Sequence, residues 1–211
     1  MGKKTGIMGG TFNPVHYGHL LLAEAAREYF RLDTVIFMPS GNPYMKKDIS
    51  VLDGNIRAHM LRLAIKDNHR FSLSRMEIDR SGPTYTWETL AGLKKENPED
   101  EFYFLMGADS LLMLENWKNP EYILQNCIIV AAVRGTGTED RIKNIAQHLS
   151  GKYQADIRLL PSRYIDISSS EIRSRAKDGK SVRYMLPAQV AKYIEEKKLY
   201  RQVTTGEKHG N

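Results

Sequence analysis

The stretch that decides the fold runs from Thr5 to Phe30, "TGIMGGTFNPVHYGHLLLAEAAREYF". A short apolar run stops at Gly9 and Gly10, the chain turns through Pro14, and a run of good helix formers follows. This order predicts a strand, a turn and a helix. In an open α/β sheet the turn after the first strand faces the ligand crevice, and the next helix offers unpaired backbone N–H groups to an anion. Glycines at 9 and 10 remove side chains that would hold a phosphate away from that backbone. His16 and His19 are three residues apart, so on one helical turn they share a face. The stretch reads as a phosphate site, yet it is neither a Gly-Lys-Ser/Thr P-loop nor a G-x-G-x-x-G turn. A simple tight turn and a pair of incidental polar residues are the plain alternatives. A metal site ranks below both, because no third ligand follows at a recognisable spacing and no thiolate helps.

The same alternation continues outward. Thr34–Pro39, Glu101–Gly107 and Cys127–Val133 are short and nearly continuously apolar, as parallel strands covered on both faces are. Between them, residues 19–30, 55–67, 86–97 and 140–149 carry apolar side chains at helical spacing. Asp156–Pro161 adds a further strand, and helices are expected at 170–177 and 187–197, with Pro187 in the first turn of the last one. The expected architecture is an α/β parallel sheet with crossover helices and a small helical C-terminal part at about 165–200, all in one domain, 1–211. No repeat, low-complexity tract or dividing linker interrupts it. The closing "TTGEKHGN" is polar and expected to fray.

Composition narrows the function classes. The 211 residues, 41% hydrophobic, suffice for a substantial core. A net charge of +6 favours an anionic partner, and nucleotides, nucleic acid and acidic surfaces all satisfy it. The single cysteine, Cys127, lies in an apolar run, which excludes a disulfide framework and a thiolate zinc site and predicts a small buried hydrophobe. No apolar stretch reaches membrane-spanning length, the N-terminus lacks the apolar core of a signal peptide, and a cytoplasmic protein without a membrane partner is expected.

A second anchor stands near the other end. In "DISSSEIRSR", Asp166–Arg175, Ser168 and Glu171 have capping-box spacing. Three consecutive serines with arginines at 173 and 175 exceed what capping needs; hydroxyls, helix N–H groups and a guanidinium together suit a polyphosphate.

The two anchors together carry a resemblance. "GGTFNPVHYGHL" is similar to the G-x-F-x-P-x-H-x-G-H signature of the nucleotidylyltransferase superfamily, and "ISSSEIRSR" to its I-S-S-T/S-x-I-R motif. More narrowly, "GPTYTWETL", "LMGADSLLMLENWKN" and "VRYMLPAQVAKYIEEKKLY" resemble bacterial nicotinate-nucleotide adenylyltransferases from Gly6 to about Tyr200. The resemblance implies a Rossmann-like, doubly wound sheet. It implies an enzyme of NAD biosynthesis that joins nicotinate mononucleotide to the AMP part of ATP and releases pyrophosphate, with Mg²⁺ carried on the ATP phosphates.

The resemblance also implies roles. His16, His19, Lys46 and Arg173 would be catalytic, with His19 nearest the α-phosphate and Lys46 reaching the reacting phosphates from the loop after the second strand. Gly9, Gly10, Thr11, Phe12, Gly107, Asp109, Ile167, Ser169, Ser170 and Arg173 would bind ATP, Gly107 and Asp109 at the sugar and Ser169, Ser170 and Arg173 at the departing phosphates. Trp117 would stack on the pyridine ring, and Thr86 and its neighbours would present backbone groups to the nicotinate carboxylate. No residue is expected to ligate a metal. Read without the family, Trp117 is a core aromatic, Asp109 a helix cap and Lys46 a solvated loop charge.

One departure stands out: relatives often carry Pro-Pro-His-Lys on the second loop, where this chain has Pro43-Tyr44-Met45-Lys46. A dual-specificity or other nucleotidylyltransferase and a non-catalytic nucleotide sensor are the alternatives. Binding to nucleic acid has no recognised module behind it. A homo-oligomer is compatible with the sequence.

Overall fold

The computed structural model describes residues 2–41, 51–134, 139–162 and 166–201. Among these residues six strands form a single parallel sheet: β1 (Lys4–Gly10), β2 (Thr34–Pro39), β3 (Phe71–Leu73), β4 (Glu101–Gly107), β5 (Ile128–Arg134) and β6 (Ile157–Ser162). Their order, β3-β2-β1-β4-β5-β6, is that of a doubly wound dinucleotide-binding sheet, whose winding reverses between β1 and β4.

Among the described residues eight α-helices cover the two faces: α1 (Tyr17–Tyr29), α2 (Gly54–Ile65), α3 (Thr86–Glu96), α4 (Ala108–Leu112), α5 (Pro120–Asn126), α6 (Glu139–Tyr153), α7 (Ser169–Lys177) and α8 (Ala188–Glu196). A 3₁₀ turn, Leu114–Asn116, follows α4.

The strands are apolar throughout because both faces are buried. Met8, Val35, Phe37, Tyr103, Leu105 and Val130 face a cluster with Ala23, Leu61, Ile172 and Val190, from α1, α2, α7 and α8. Their neighbours Ile7, Met38, Phe104, Met106, Ile129 and Ala131 face the other way, toward Leu90, Leu111, Ile142 and Leu149 from α3, α4 and α6. The period of two thus sends alternate residues to two cores. A fully buried Leu or Phe in either contributes roughly 1.5–3 kcal/mol over an exposed one. The small helical C-terminal part is the outer layer of the first core.

Most expected elements occur within a few residues of their predicted bounds. β3 was not expected; it has three residues and two serines, Ser72 and Ser74, in or beside it. Cys127, expected to open β5, instead closes α5, where its buried thiol donates to the Ile123 carbonyl at 3.2 Å. Burial pushes that thiol up to about 12, so it is inert at neutral pH. Pro187 is the N-cap of α8 rather than part of its first turn. Ser168 caps α7 as expected, accepting from the Glu171 N–H at 3.1 Å. The tail "TTGEKHGN" lies outside the described residues, and no described helix is long and apolar enough to cross a membrane.

Candidate active site

The carboxyl ends of β1, β2 and β4 open on one side of the sheet, where the first loop runs from Thr11 to His16. That loop is buried from Phe12 to His16. Gly9 and Gly10 do more than expose backbone: a Cβ on Gly9 would stand 3.2 Å from the Phe104 ring, and one on Gly10 3.2 Å from the Phe12 ring. Phe12, at a φ of 48°, turns its ring into the core against Phe37 and sets its edge on His19, 5.0 Å between centroids. It borders the site as the wall behind His19.

His16 is the N-cap of α1 and His19 its third residue, so the two do meet on the first helical turn. Their rings are 3.8 Å apart, and His19 Nδ1 accepts the His16 backbone N–H at 3.3 Å. With Nδ1 as acceptor, the proton of a neutral His19 belongs on Nε2. Gly18 makes this packing work, since a Cβ there would lie 3.0 Å from Cε1 and Nδ1 of His16 and 3.7 Å from the Ile167 carbonyl.

The second anchor docks on the first loop. Ser169 Oγ donates to the Pro14 carbonyl at 2.8 Å, and Arg173 Nη1 donates to the Asn13 carbonyl at 2.9 Å. Ser169 has one O–H and directs it at Pro14, so the group it could offer an anion is its backbone N–H in the first turn of α7. Ser170 is exposed, with its Oγ 3.0 Å from Ser168 Oγ. Ile167 is half-buried against the first core.

At the neighbouring strand end, Gly107 is the N-cap of α4, and nothing lies within 4 Å of where its Cβ would be. Asp109 is exposed in the first turn of α4 rather than capping it. Trp117 is half-buried beyond the 3₁₀ turn, edge-on to Phe104 at 6.0 Å. Because Phe104 is also the ring beside Gly9, Trp117 is tied to the same side of the site. Thr86 is the first residue of α3. Two residues before it, Thr84 is buried with its methyl 3.1 Å from where a Cβ on Gly41 would be, which brings this segment to the end of β2. Lys46, with Pro43, Tyr44 and Met45, lies outside the described residues.

Four residues at the site were assigned no role from the sequence. Asn13 is a junction: its Oδ1 accepts from Tyr200 Oη at 3.0 Å and from the Leu52 N–H at 3.4 Å. Tyr200 is the far end of the chain brought back to the first loop, and burial raises its phenol well above the ordinary range against the pull of Arg173 and Arg57. Arg57, in α2, is only 1% exposed and donates to main-chain carbonyls of Thr11, Ser40, Gly41 and Leu52. Glu77 accepts from Thr89 Oγ1 at 2.8 Å and also from Thr84; burial lifts its carboxyl above the usual range, although those bonds and the charges of Arg80 and Arg57 oppose the lift.

The arrangement gathers helix N–H groups, two imidazoles, the Ser170 hydroxyl and a guanidinium on one side of the sheet, which suits a chain of phosphates. Among the described residues no three His, Cys, Asp or Glu side chains gather where they could hold a metal ion.

Comparison with known proteins agrees with this geometry. Residues 7–175 match the family described as cytidylyltransferase-like. The chain is 47% identical over 192 residues to a Lachnoclostridium phytofermentans protein named "Probable nicotinate-nucleotide adenylyltransferase", covering 91% of this chain and 96% of that one. A Moorella thermoacetica protein of the same name is 43% identical, with 94% and 92% covered. Among solved structures, the Plasmodium falciparum nicotinic acid mononucleotide adenylyltransferase complexed with NaAD has the same fold, with a TM-score of 0.76 at 20% identity over 94% of this chain and 97% of that one. The two-sided parallel sheet, the paired anchors and these likenesses place this chain in the nicotinate-nucleotide adenylyltransferase family of cytidylyltransferase-like proteins.

Proposed function

We propose that this enzyme joins nicotinate mononucleotide to ATP, giving nicotinate adenine dinucleotide and pyrophosphate, by direct in-line attack of the mononucleotide 5′-phosphate on the α-phosphate. The observation that supports the reading is the docking of α7 onto the first loop through Ser169 and Arg173, which brings together the two segments proposed to bind phosphate. A 5′-phosphate is already anionic at neutral pH, so no side chain has to become a nucleophile. The protein's work is to bring two anions together in line and to neutralise charge on the oxygens of the transition state.

His19 donates from Nε2 to the α-phosphate, and His16 steadies the ring and the helix entrance. Arg173 and Ser170, with the N–H groups at the start of α7, take the departing phosphates; Lys46 joins them from the second loop. Gly9, Gly10 and Thr11 give backbone room beside the nucleotide, while Gly107 and Asp109 meet its sugar. Trp117 stacks on the pyridine ring and the backbone at Thr86 receives the nicotinate carboxylate. Mg²⁺ would be held by the phosphate oxygens of ATP rather than by these N–H donors, and would supply charge neutralisation there.

Isotope exchange tests the direct route. With ATP and labelled pyrophosphate but no mononucleotide, a single displacement gives no label in ATP, whereas a covalent adenylyl-enzyme would give steady incorporation. With the mononucleotide present, the dinucleotide should accumulate in step with pyrophosphate.

A further inference from the structure

We infer that Arg57 is a positioning residue of the transfer step: it fixes the first loop, at Thr11, against the end of β2 at Ser40 and Gly41 and the lead into α2 at Leu52. The inference rests on the proposed role of the first loop.

Arg57 Nε donates to the Leu52 carbonyl at 2.8 Å, Nη1 to Thr11 at 2.8 Å, and Nη2 to Ser40 at 2.7 Å and Gly41 at 3.1 Å. Ser40 and Gly41 follow β2 and Leu52 leads into α2, while Thr11 belongs to the first loop. One planar fork therefore holds three chain segments at once.

A buried cation is expensive, and among the described residues this one has no carboxylate as a hydrogen-bond partner; Asp53 and Glu77 act on it through their charge. An apolar side chain would pack α2 at lower cost. What it could not do is supply several donors in fixed directions, which only a guanidinium does.

The neighbouring contacts point the same way. Gly41 is pressed between Arg57 and the wall formed by Glu77 and Thr84: a Cβ on Gly41 would lie 2.0 Å from the Glu77 carbonyl oxygen. Leu52 is held a second time, by its N–H to Asn13 Oδ1, and Asn13 also receives Arg173 and Tyr200. The end of β2 and the lead into α2 are thus joined to the groups proposed to face ATP.

The test uses the full chain, with kcat and KM for both substrates, thermal melting, and three variants. Arg57→Lys keeps the charge but loses the fork. Leu149→Ala, in the core contributed by α6, lowers stability without touching the site. Gly41→Ala shifts the end of β2 from its other side.

We expect Arg57→Lys to be folded at 25 °C with kcat down about ten- to a hundredfold and both KM values within about threefold, the pattern of misplaced reacting groups. Leu149→Ala should keep wild-type kcat below its melting range. If Arg57→Lys turns over as fast as Leu149→Ala, the inference is overturned. Should Arg57→Lys fail to fold, Gly41→Ala decides: a similar loss in kcat supports the tie, and wild-type kcat ends it. Wild-type protein that releases no pyrophosphate would instead fail the functional reading itself.

Discussion

Ser169 and Ser170 are adjacent, chemically identical and expected from the motif to act together, yet the structure separates them, and the difference is measurable. Ser169 bonds across the fold to the Pro14 carbonyl at 2.8 Å, whereas Ser170 is exposed and meets only another serine hydroxyl among the contacts described. Ser169→Ala removes one partly buried neutral hydrogen bond, which contributes about 0.5–1.5 kcal/mol. For a chain of this size, each kcal/mol is worth about 2–4 °C in Tm. Ser169→Ala should therefore melt about 1–6 °C below wild type, with ATP kinetics changed less than about threefold. Ser170→Ala should melt with wild type but lose a bond to a charged phosphate, roughly 1.5–3 kcal/mol, which is about ten- to a hundredfold in kcat/KM for ATP. Melting curves and steady-state kinetics on both proteins suffice. Equal melting of the two, or a larger kinetic loss in Ser169→Ala than in Ser170→Ala, would refute the assignment.

Replacing His19 with Ala should cut kcat by about a hundredfold or more with a smaller effect on ATP binding, as expected for one lost transition-state donor; near-normal turnover would remove it from the chemistry. Trp117→Ala should raise KM for the mononucleotide by roughly tenfold while leaving that for ATP nearly constant, since stacking acts in the bound ground state; an unchanged mononucleotide KM would contradict the stack. Glu77→Gln gives a pH signature in melting. Burial raises the folded carboxyl above its ordinary 4.5, so its favourable contribution is full below that value and is lost as pH rises through the folded value. The glutamine variant does not titrate there, so its Tm relative to wild type should increase between about pH 4 and pH 8; a flat difference would mean that Glu77 ionises without penalty.

The strands that build the site were legible because burial on both faces forces nearly continuous apolar runs. β3 was not, because Phe71–Leu73 is too short for a pattern, and neither were α4 and α5, which are short and joined through Asn119 in a left-handed conformation. The two anchors stood out in the sequence because the residue types a phosphate site would need fall at close spacing, and the structure docks the two segments on each other. Arg57 was invisible for the opposite reason. In "GNIRAHMLRLAI" it looks like a solvated helix cation, and nothing local reveals that its guanidinium turns inward to a carbonyl 46 residues earlier. Asn13 and Tyr200 meet across 187 residues, a contact that no local spacing encodes.

The measurement that bears most directly on the account is pyrophosphate release from Mg-ATP with nicotinate mononucleotide, with its amide counterpart and with phosphopantetheine, in parallel. The account predicts rapid release with the acid mononucleotide, slower release with the amide and none with phosphopantetheine. Release with phosphopantetheine alone, or silence with all three from protein that binds ATP, would contradict it.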